Sequence, residues 1–399
     1  MNEFRGSIVI IGASAAGITA AKQIRKANAE AEVIVFTEEP HFPYFRPFLT
    51  EYLCETSVIQ KDNFYLNPEK WYRDNRIDLR LAEKVTSIDP AAKTVSTAKG
   101  GSVAYEKLIL ANGSAPFVPK PELLQKENVF AIRTLDDAKH VEQFSNTVKR
   151  ATVIGGGVLG IETADALIQK GLRVTVIEYV KRILPIQLDE EGSEIFQAIM
   201  QKSGVELKLG TLAQNFAGTN RVTAIGLQTG EEIPTDMVVF CIGVRANLEL
   251  AKSCGLTTNR GVVVNEKMET NLPDIYACGD VAECGQNISL WTVAVEQGKT
   301  AGLNAIGEPS AFSPISFPTR IESFDTKVFS IGDLGHQCAA KEYVALRRRS
   351  PDEYMYKQLY FKGDAVTGGV LIGDVKKATA LSKAMNRALS KEEMLILME

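Results

Sequence analysis

The chain has 399 residues, enough for two or three domains rather than one. A formal net charge of −4 gives no electrostatic reason to expect nucleic acid or an anionic membrane as partner. No apolar run approaches the ~20 residues of a membrane span. The N-terminus lacks a signal-peptide layout, so a cytoplasmic protein is expected. The six cysteines, at 54, 241, 254, 278, 284 and 338, form no CxxC pair, so a zinc site has no support. Cys241 and Cys278 sit in apolar, strand-like runs and read as small buried hydrophobes.

The first element is a β-branched run, 7–11, followed by Gly12, Ser14, Ala15, Ala16 and Gly17 and a helix through about residue 27. This is a dinucleotide-binding fingerprint with Ser14 where the middle glycine is usual; serine is small enough to leave room for a close backbone approach. The next strand, 33–36, ends near Glu38 and Glu39. One of them is positioned for a ribose diol, the plainer reading being two solvated loop acids. The following loop, 41–49, is rich in Pro and aromatics around Arg46. It suits packing along a flat ligand with a cation at its pyrophosphate, or a rigid surface loop.

The second glycine-rich turn is the stronger signal. A strand over 152–154 enters it, and Gly155, Gly157 and Gly160 keep the G-x-G-x-x-G spacing. Gly155 permits the tight turn, Gly157 removes a Cβ so that pyrophosphate can approach, and Gly160 lets the helix pack on the strand. The helix over 161–170, entered through Val158 and Leu159, offers free N–H groups at its N-terminus. A strand over 172–177 then ends in Glu178, placed to accept from a ribose 2′,3′-diol. A carboxylate there would repel a 2′-phosphate, which favours NADH over NADPH, although Lys181 and Arg182 lie just beyond. Two fingerprints in one chain imply two dinucleotides, and FAD with an NAD-type partner is the common pairing.

Together these motifs resemble the FAD-dependent pyridine nucleotide oxidoreductases of the glutathione-reductase-like fold, closest to NADH:rubredoxin oxidoreductases and the flavin module of nitrite reductases. The Pro-Tyr-x-Arg-Pro-x-Leu loop, from Pro43 to Leu49, carries the likeness, as does the segment 105–114 with Ala111 and Gly113, where Asn112 replaces the usual Thr. So do the run 130–138 around Arg133, the exit around Gly243, and the Thr-x-x-Pro-Asp segment leading to a strand end at Gly279, Asp280 and then a helix-like run. The resemblance implies FAD contacts for Arg46, Arg133 and Asp280, and an adenine contact for Val85. It also implies a nicotinamide-side role for Glu162, whose other reading is a helix N-terminal acid. Trp291, expected just before a helix over 296–305, either walls the nicotinamide pocket or is a core tryptophan. Glu51 stands where several relatives have a lysine near the flavin.

The implied fold is α/β, with two Rossmann-like domains and a C-terminal α+β domain. FAD binds over 1–115 and 246–311, NAD over the inserted 116–245, and 312–399 forms the last domain. The family often uses that last domain as an interface, which leaves room for a homo-oligomer through it. Short strands are expected there at 327–331, 343–346, 354–360 and 370–372, with a helix over 376–388. Arg347, Arg348 and Arg349 read as a docking patch for an acidic carrier or as a solvated strand end. The cysteine spacings lack a Cys-x4-Cys pair beside the flavin, so a thiol mechanism loses support and no side chain is expected to act as catalytic acid or base. The expected activity carries electrons from NADH through FAD to a rubredoxin or iron–sulfur protein. The alternatives are a subunit of a nitrite-reductase-like complex and a redox-signalling flavoprotein.

Overall fold

The computed structural model describes residues 4, 6–313, 318–334, 344–350 and 354–398. Cys338 and Tyr343 lie outside them. The architecture is α/β, built from two parallel five-stranded sheets and a C-terminal antiparallel sheet. The first sheet has the spatial order Ile275–Ala277, Lys107–Leu110, Ser7–Ile11, Glu32–Phe36, Ile77–Arg80. The second has the order Glu206–Leu209, Arg173–Glu178, Arg150–Ile154, Met237–Phe240, Val129–Ala131. The central strands are apolar on both faces, as parallel strands covered by helices must be; Ile8, Val9, Ile10, Val153 and Val239 are fully buried.

The two sheets repeat one plan. Each central strand feeds a glycine turn and a helix, Ala15–Ala27 in the first and Val158–Gln169 in the second. Each half also carries a three-stranded antiparallel excursion, Val85–Asp89 with Thr94–Thr97 and Ser102–Ala104, and Ala213–Ala217 with Ala224–Leu227 and Glu232–Pro234. The short ribbon of Ser114–Pro116 against Val244–Ala246 carries the chain out of the first half and back.

Local expectations hold with shifted ends. The strand expected from 343 spans Val344–Ser350, and the helix expected over 376–388 is shorter, Ala378–Ala384. Trp291 forms the first turn of a helix, Trp291–Ala305, rather than preceding one. Asp280 is followed not by a helix but by a 3-10 turn, Gly279–Val281, and a short strand, Ala282–Glu283.

The C-terminal sheet has the order Thr319–Ser323, Thr326–Gly332, Ala365–Ile372, Met355–Lys362, Val344–Ser350. It packs on the second half, sharing one apolar core through Ile321, Phe324, Tyr356 and Ile372. At that junction Asp189, which caps the helix Glu190–Lys202 by accepting from Gly192 N (2.8 Å), also accepts from Tyr356 (2.7 Å) and Tyr360. Arg347 and Arg349 both donate to Glu191, and Arg348 to Met398 O (3.3 Å). The three arginines are thus engaged within the chain.

The helix Trp291–Ala305 crosses Ala15–Ala27 at backbone contact. A Cβ on Gly298 or Gly302 would overlap the Ala16 or Ala20 backbone. We expect Gly298→Ala to force these helices apart and lower stability by roughly 1–3 kcal/mol, read by thermal denaturation, with Gly101→Ala, exposed and at an ordinary φ, as the comparison.

Candidate functional site: two nucleotide turns around one cavity

The site is built from the two repeated turns. Gly12 (φ +111°) and Gly155 (φ +117°) leave their strands in the left-handed region, and their N–H groups donate to Phe36 O and Ile177 O, each at 2.8 Å. A Cβ on Gly17 would overlap Gly12 O, and one on Gly160 would overlap Gly155 O. These glycines are therefore required by helix-on-strand packing. Gly157 differs: nothing lies within 4 Å of an added Cβ, so the space before it is open. Neither helix has a side-chain cap, since Ser14 and Gly157 occupy the N-cap positions without one. Their first N–H groups face the cavities as ready anion sites.

A chain of paired charges runs from the first turn to the entry of the second half. Arg46 Nε donates to Ser14 Oγ (3.2 Å), Nη1 to Tyr44 Oη (3.2 Å) and to Arg133 O, and Nη2 to Glu39. Tyr44 in turn donates to Glu39 Oε2 (2.7 Å) and accepts from Leu135 N (2.8 Å). Arg133 donates through Nε to Ser114 O (3.0 Å) and through Nη2 to Asp280 Oδ2 (2.7 Å), which also accepts from Ser114 Oγ (2.8 Å). Burial raises the Tyr44 phenol far above its usual range, so it stays a neutral donor. Of the two acids after the first sheet strand, Glu39 is thus committed to Arg46. Glu38 is exposed and paired with Lys84 (2.9 Å), next to Val85.

Ser14, Ala15, Ala16, Arg46, Ala111, Gly113, Arg133, Gly157, Val158, Leu159, Glu162, Gly243, Gly279, Asp280 and Trp291 all line one cavity of about 400 Å³. Residues expected at a flavin and residues expected at a nicotinamide therefore share one space. Gly12, Gly17, Glu38, Glu39 and Val85 do not line it. A second cavity, about 540 Å³, holds Gly155, Gly157, Glu178 and Gly243. It shares Gly157, Cys241 and Gly243 with the first, so the two spaces adjoin at the second turn.

In the second cavity Glu178 is fixed by the turn itself, accepting from Gly156 N (2.6 Å) and Val180 N (2.8 Å). Lys181 and Arg182 do not line this space, and Arg182 donates to Pro185 O (2.9 Å). Three apolar side chains unnoticed in the sequence do line it: Tyr179, Ile186 and Leu212, exposed by 66 %, 77 % and 41 %. Large apolar groups left this open beside a cavity suit a flat ring. Their signal was available only as an apolar residue directly after the diol acid.

Comparison with known proteins fits this geometry. Residues 6–298 match the family described as pyridine nucleotide-disulphide oxidoreductase, and residues 319–389 match the rubredoxin NAD+ reductase C-terminal domain. The chain belongs to the pyridine nucleotide-disulphide oxidoreductase family. It is 32% identical to the NADH-rubredoxin oxidoreductase of Clostridium acetobutylicum over 96% of this chain and 95% of that one. It is also 32% identical to the nitrite reductase [NAD(P)H] of Bacillus subtilis over 94% of this chain but 46% of that protein. The solved structure of NADH:rubredoxin oxidoreductase from Clostridium acetobutylicum superposes with a TM-score of 0.78 at 30% identity, covering 98% of this chain and 99% of that one. The chain is accordingly an oxidoreductase using a flavin and a nicotinamide nucleotide.

The five described cysteines, Cys54, Cys241, Cys254, Cys278 and Cys284, are all unpaired. Cys241 and Cys278 are buried, with thiols pushed up to about 12 by burial. Cys54 is exposed and lines neither cavity; burial of its sulfur and nearby Asp165 raise its thiol. Glu51, at the place where several relatives carry lysine, turns outward to pair with Lys61. The inner position is taken by Thr50, whose hydroxyl donates to Glu162 Oε2 (3.0 Å). Burial raises Glu162 to about 7, opposed by the Thr50 hydrogen bond. The folded-state value exceeds the unfolded one, so the carboxyl's contribution to stability is fully present below the usual carboxylate range and is lost as pH rises through about 7. Thermal melts between pH 5 and 8 should show wild type falling relative to Glu162→Gln as pH rises. A constant difference between them would contradict this placement.

Proposed function

We propose that the first turn, with Arg46, Arg133 and Asp280, holds FAD and that the second turn, with Glu178, holds NADH, the protein passing electrons to a small carrier of the rubredoxin or ferredoxin type. The observation that carries this reading is the meeting of the two fingerprint turns at one cavity. The residues present fit FAD: the uncapped N-terminus after Ser14 and two fixed guanidinium groups offer positive charge to a pyrophosphate, and Asp280 adds an acceptor at the same wall. When bound, FAD supplies two-electron acceptance from hydride and one-electron release.

The chain's own contribution is binding, alignment and exclusion of water. Gly157 leaves room for the nucleotide pyrophosphate, and Val158 and Leu159 present backbone N–H groups. Glu178 accepts from the ribose diol, while Tyr179, Ile186 and Leu212 flank the adenine. Glu162 and Trp291 bound the shared cavity, where Trp291 stacks edge-on to Phe45 (centroids 4.8 Å apart) and helps to seal it. No side chain needs to move a proton for hydride transfer.

Glu178 also supports NADH over NADPH, because a 2′-phosphate would meet a carboxylate already held by two N–H donors. Glu178→Ala should raise the KM for NADH by about tenfold and narrow the NADH preference, with kcat little changed. Steady-state turnover should be fast with oxidised rubredoxin or ferredoxin and absent with disulfides. Turnover with disulfides alone would overturn the carrier assignment.

A further inference from the structure

The ribbon joining the two halves lies between the cavities. Ser114–Pro116 pairs antiparallel with Val244–Ala246, Ser114 opposite Ala246 and Pro116 opposite Val244. Each strand is entered through a glycine at positive φ, Gly113 at +65° and Gly243 at +91°. Gly113, Gly243 and Val244 line the first cavity, and Phe117, Gly243 and Arg245 the second. The halves also meet through the core that holds Leu49, Leu53, Val153 and Leu167 and through Arg46 on Arg133 O, but two glycine joints and two three-residue strands make the ribbon itself the softest of these connections unless something closes it.

An asparagine pair closes it at the flavin side. Asn112 Nδ2 donates to Asn247 O (3.0 Å), Asn247 Nδ2 donates to Asn112 O (2.8 Å), and Asn247 N donates to Gly113 O (3.0 Å). At the other end Phe117 N donates to Gly243 O (2.9 Å), and the Arg245 guanidinium lies 4.3 Å from the Phe117 ring centroid. The clasp is also referenced to the first nucleotide turn, because a Cβ on Gly12 would strike Ala111 O and the Asn112 peptide.

Asn112 stands where threonine is usual in the resembling segment, and its Oδ1 is buried with no partner. An orphaned carbonyl is a cost that threonine would not carry. What the asparagine adds is the Nδ2 donor that makes the contact reciprocal.

We propose that Asn112 and Asn247 are positioning residues for hydride transfer: their reciprocal clasp, with both ends on the flavin-binding half, fixes where the ribbon leaves that half and so the angle at which the ribbon carries the nucleotide-binding half. The proposal rests on the function proposed above. It follows from the steepness with which rate falls when reacting groups are misplaced by a fraction of their contact distance, even by changes far from the chemistry.

The test uses the flavin-loaded protein as Asn112→Ala, Asn247→Ala and the double variant, with flavin content and melting temperature checked for each. A variant that loses its flavin is replaced by Asn112→Leu, which keeps bulk at the site but has no donor. Amide exchange over 113–117 and 243–247 is measured without NADH, and anaerobic rapid mixing gives the limiting rate of flavin bleaching and the NADH Kd. The expected result is faster exchange in the ribbon and a limiting rate lowered about tenfold at nearly unchanged Kd. The double variant should be no slower than the slower single one, because one reciprocal contact is being removed. Faster exchange with an unchanged limiting rate would make the clasp merely structural, and unchanged exchange or fully additive losses would also overturn the proposal. Wild type that NADH cannot bleach would instead bring down the functional reading itself.

Discussion

A helix can be laid against the end of a β-strand at backbone contact only where the touching residue has no side chain. This chain meets that constraint twice, through Gly17 on Gly12 O and Gly160 on Gly155 O. The second partners repeat as well: a Cβ on Gly12 would strike Ala111 O, and one on Gly155 would strike Cys241 O. From this close packing follow the direction of both helices, the exposure of their first N–H groups and the convergence of both turns on neighbouring cavities.

The second organising feature is the treatment of charge between the turns. A guanidinium taken from water is tolerable only when its donors are satisfied. Arg46 has Glu39, Tyr44, Ser14 and the Arg133 carbonyl; Arg133 has Asp280 and the Ser114 carbonyl. The loop containing Arg46 is thereby tied to the entry of the second half. The apolar side follows the same route: Tyr44, Leu49, Leu53 and Phe64 belong to the core that also holds Val153, Leu167 and Tyr356. Positive charge is consequently held rigidly at the cavity wall rather than on mobile surface side chains.

Much of this was legible in the sequence because its signals are local. Glycine spacing, flanking β-branched runs and a terminal acid lie within a few tens of residues, and they identified both turns, both central strands and the α/β class. Features set by distant partners were not legible. Glu39 and Glu38 are adjacent, and only the fold shows that the first meets Arg46 while the second meets Lys84. The arginine run, 347–349, read in sequence as a docking patch or a solvated strand end, and only the fold shows that two of its members donate to Glu191, far away in sequence. Trp291 was placed before its helix because Leu290 at the N-cap gives none of the polar signals that mark a helix start. The six-residue helix Leu49–Cys54 was missed for a related reason: it is stabilised by packing beside the second half, not by its own length.

The central claim is that one turn holds the flavin and the other delivers a nicotinamide to it across a shared cavity. The most direct measurement is an anaerobic titration of the purified, flavin-loaded protein with NADH, followed at the flavin absorption maximum. The account predicts complete bleaching at about one equivalent of NADH per bound FAD, with the same end point reached far less efficiently by NADPH. A flavin that NADH leaves oxidised, or a protein that purifies and folds without retaining FAD, would contradict it.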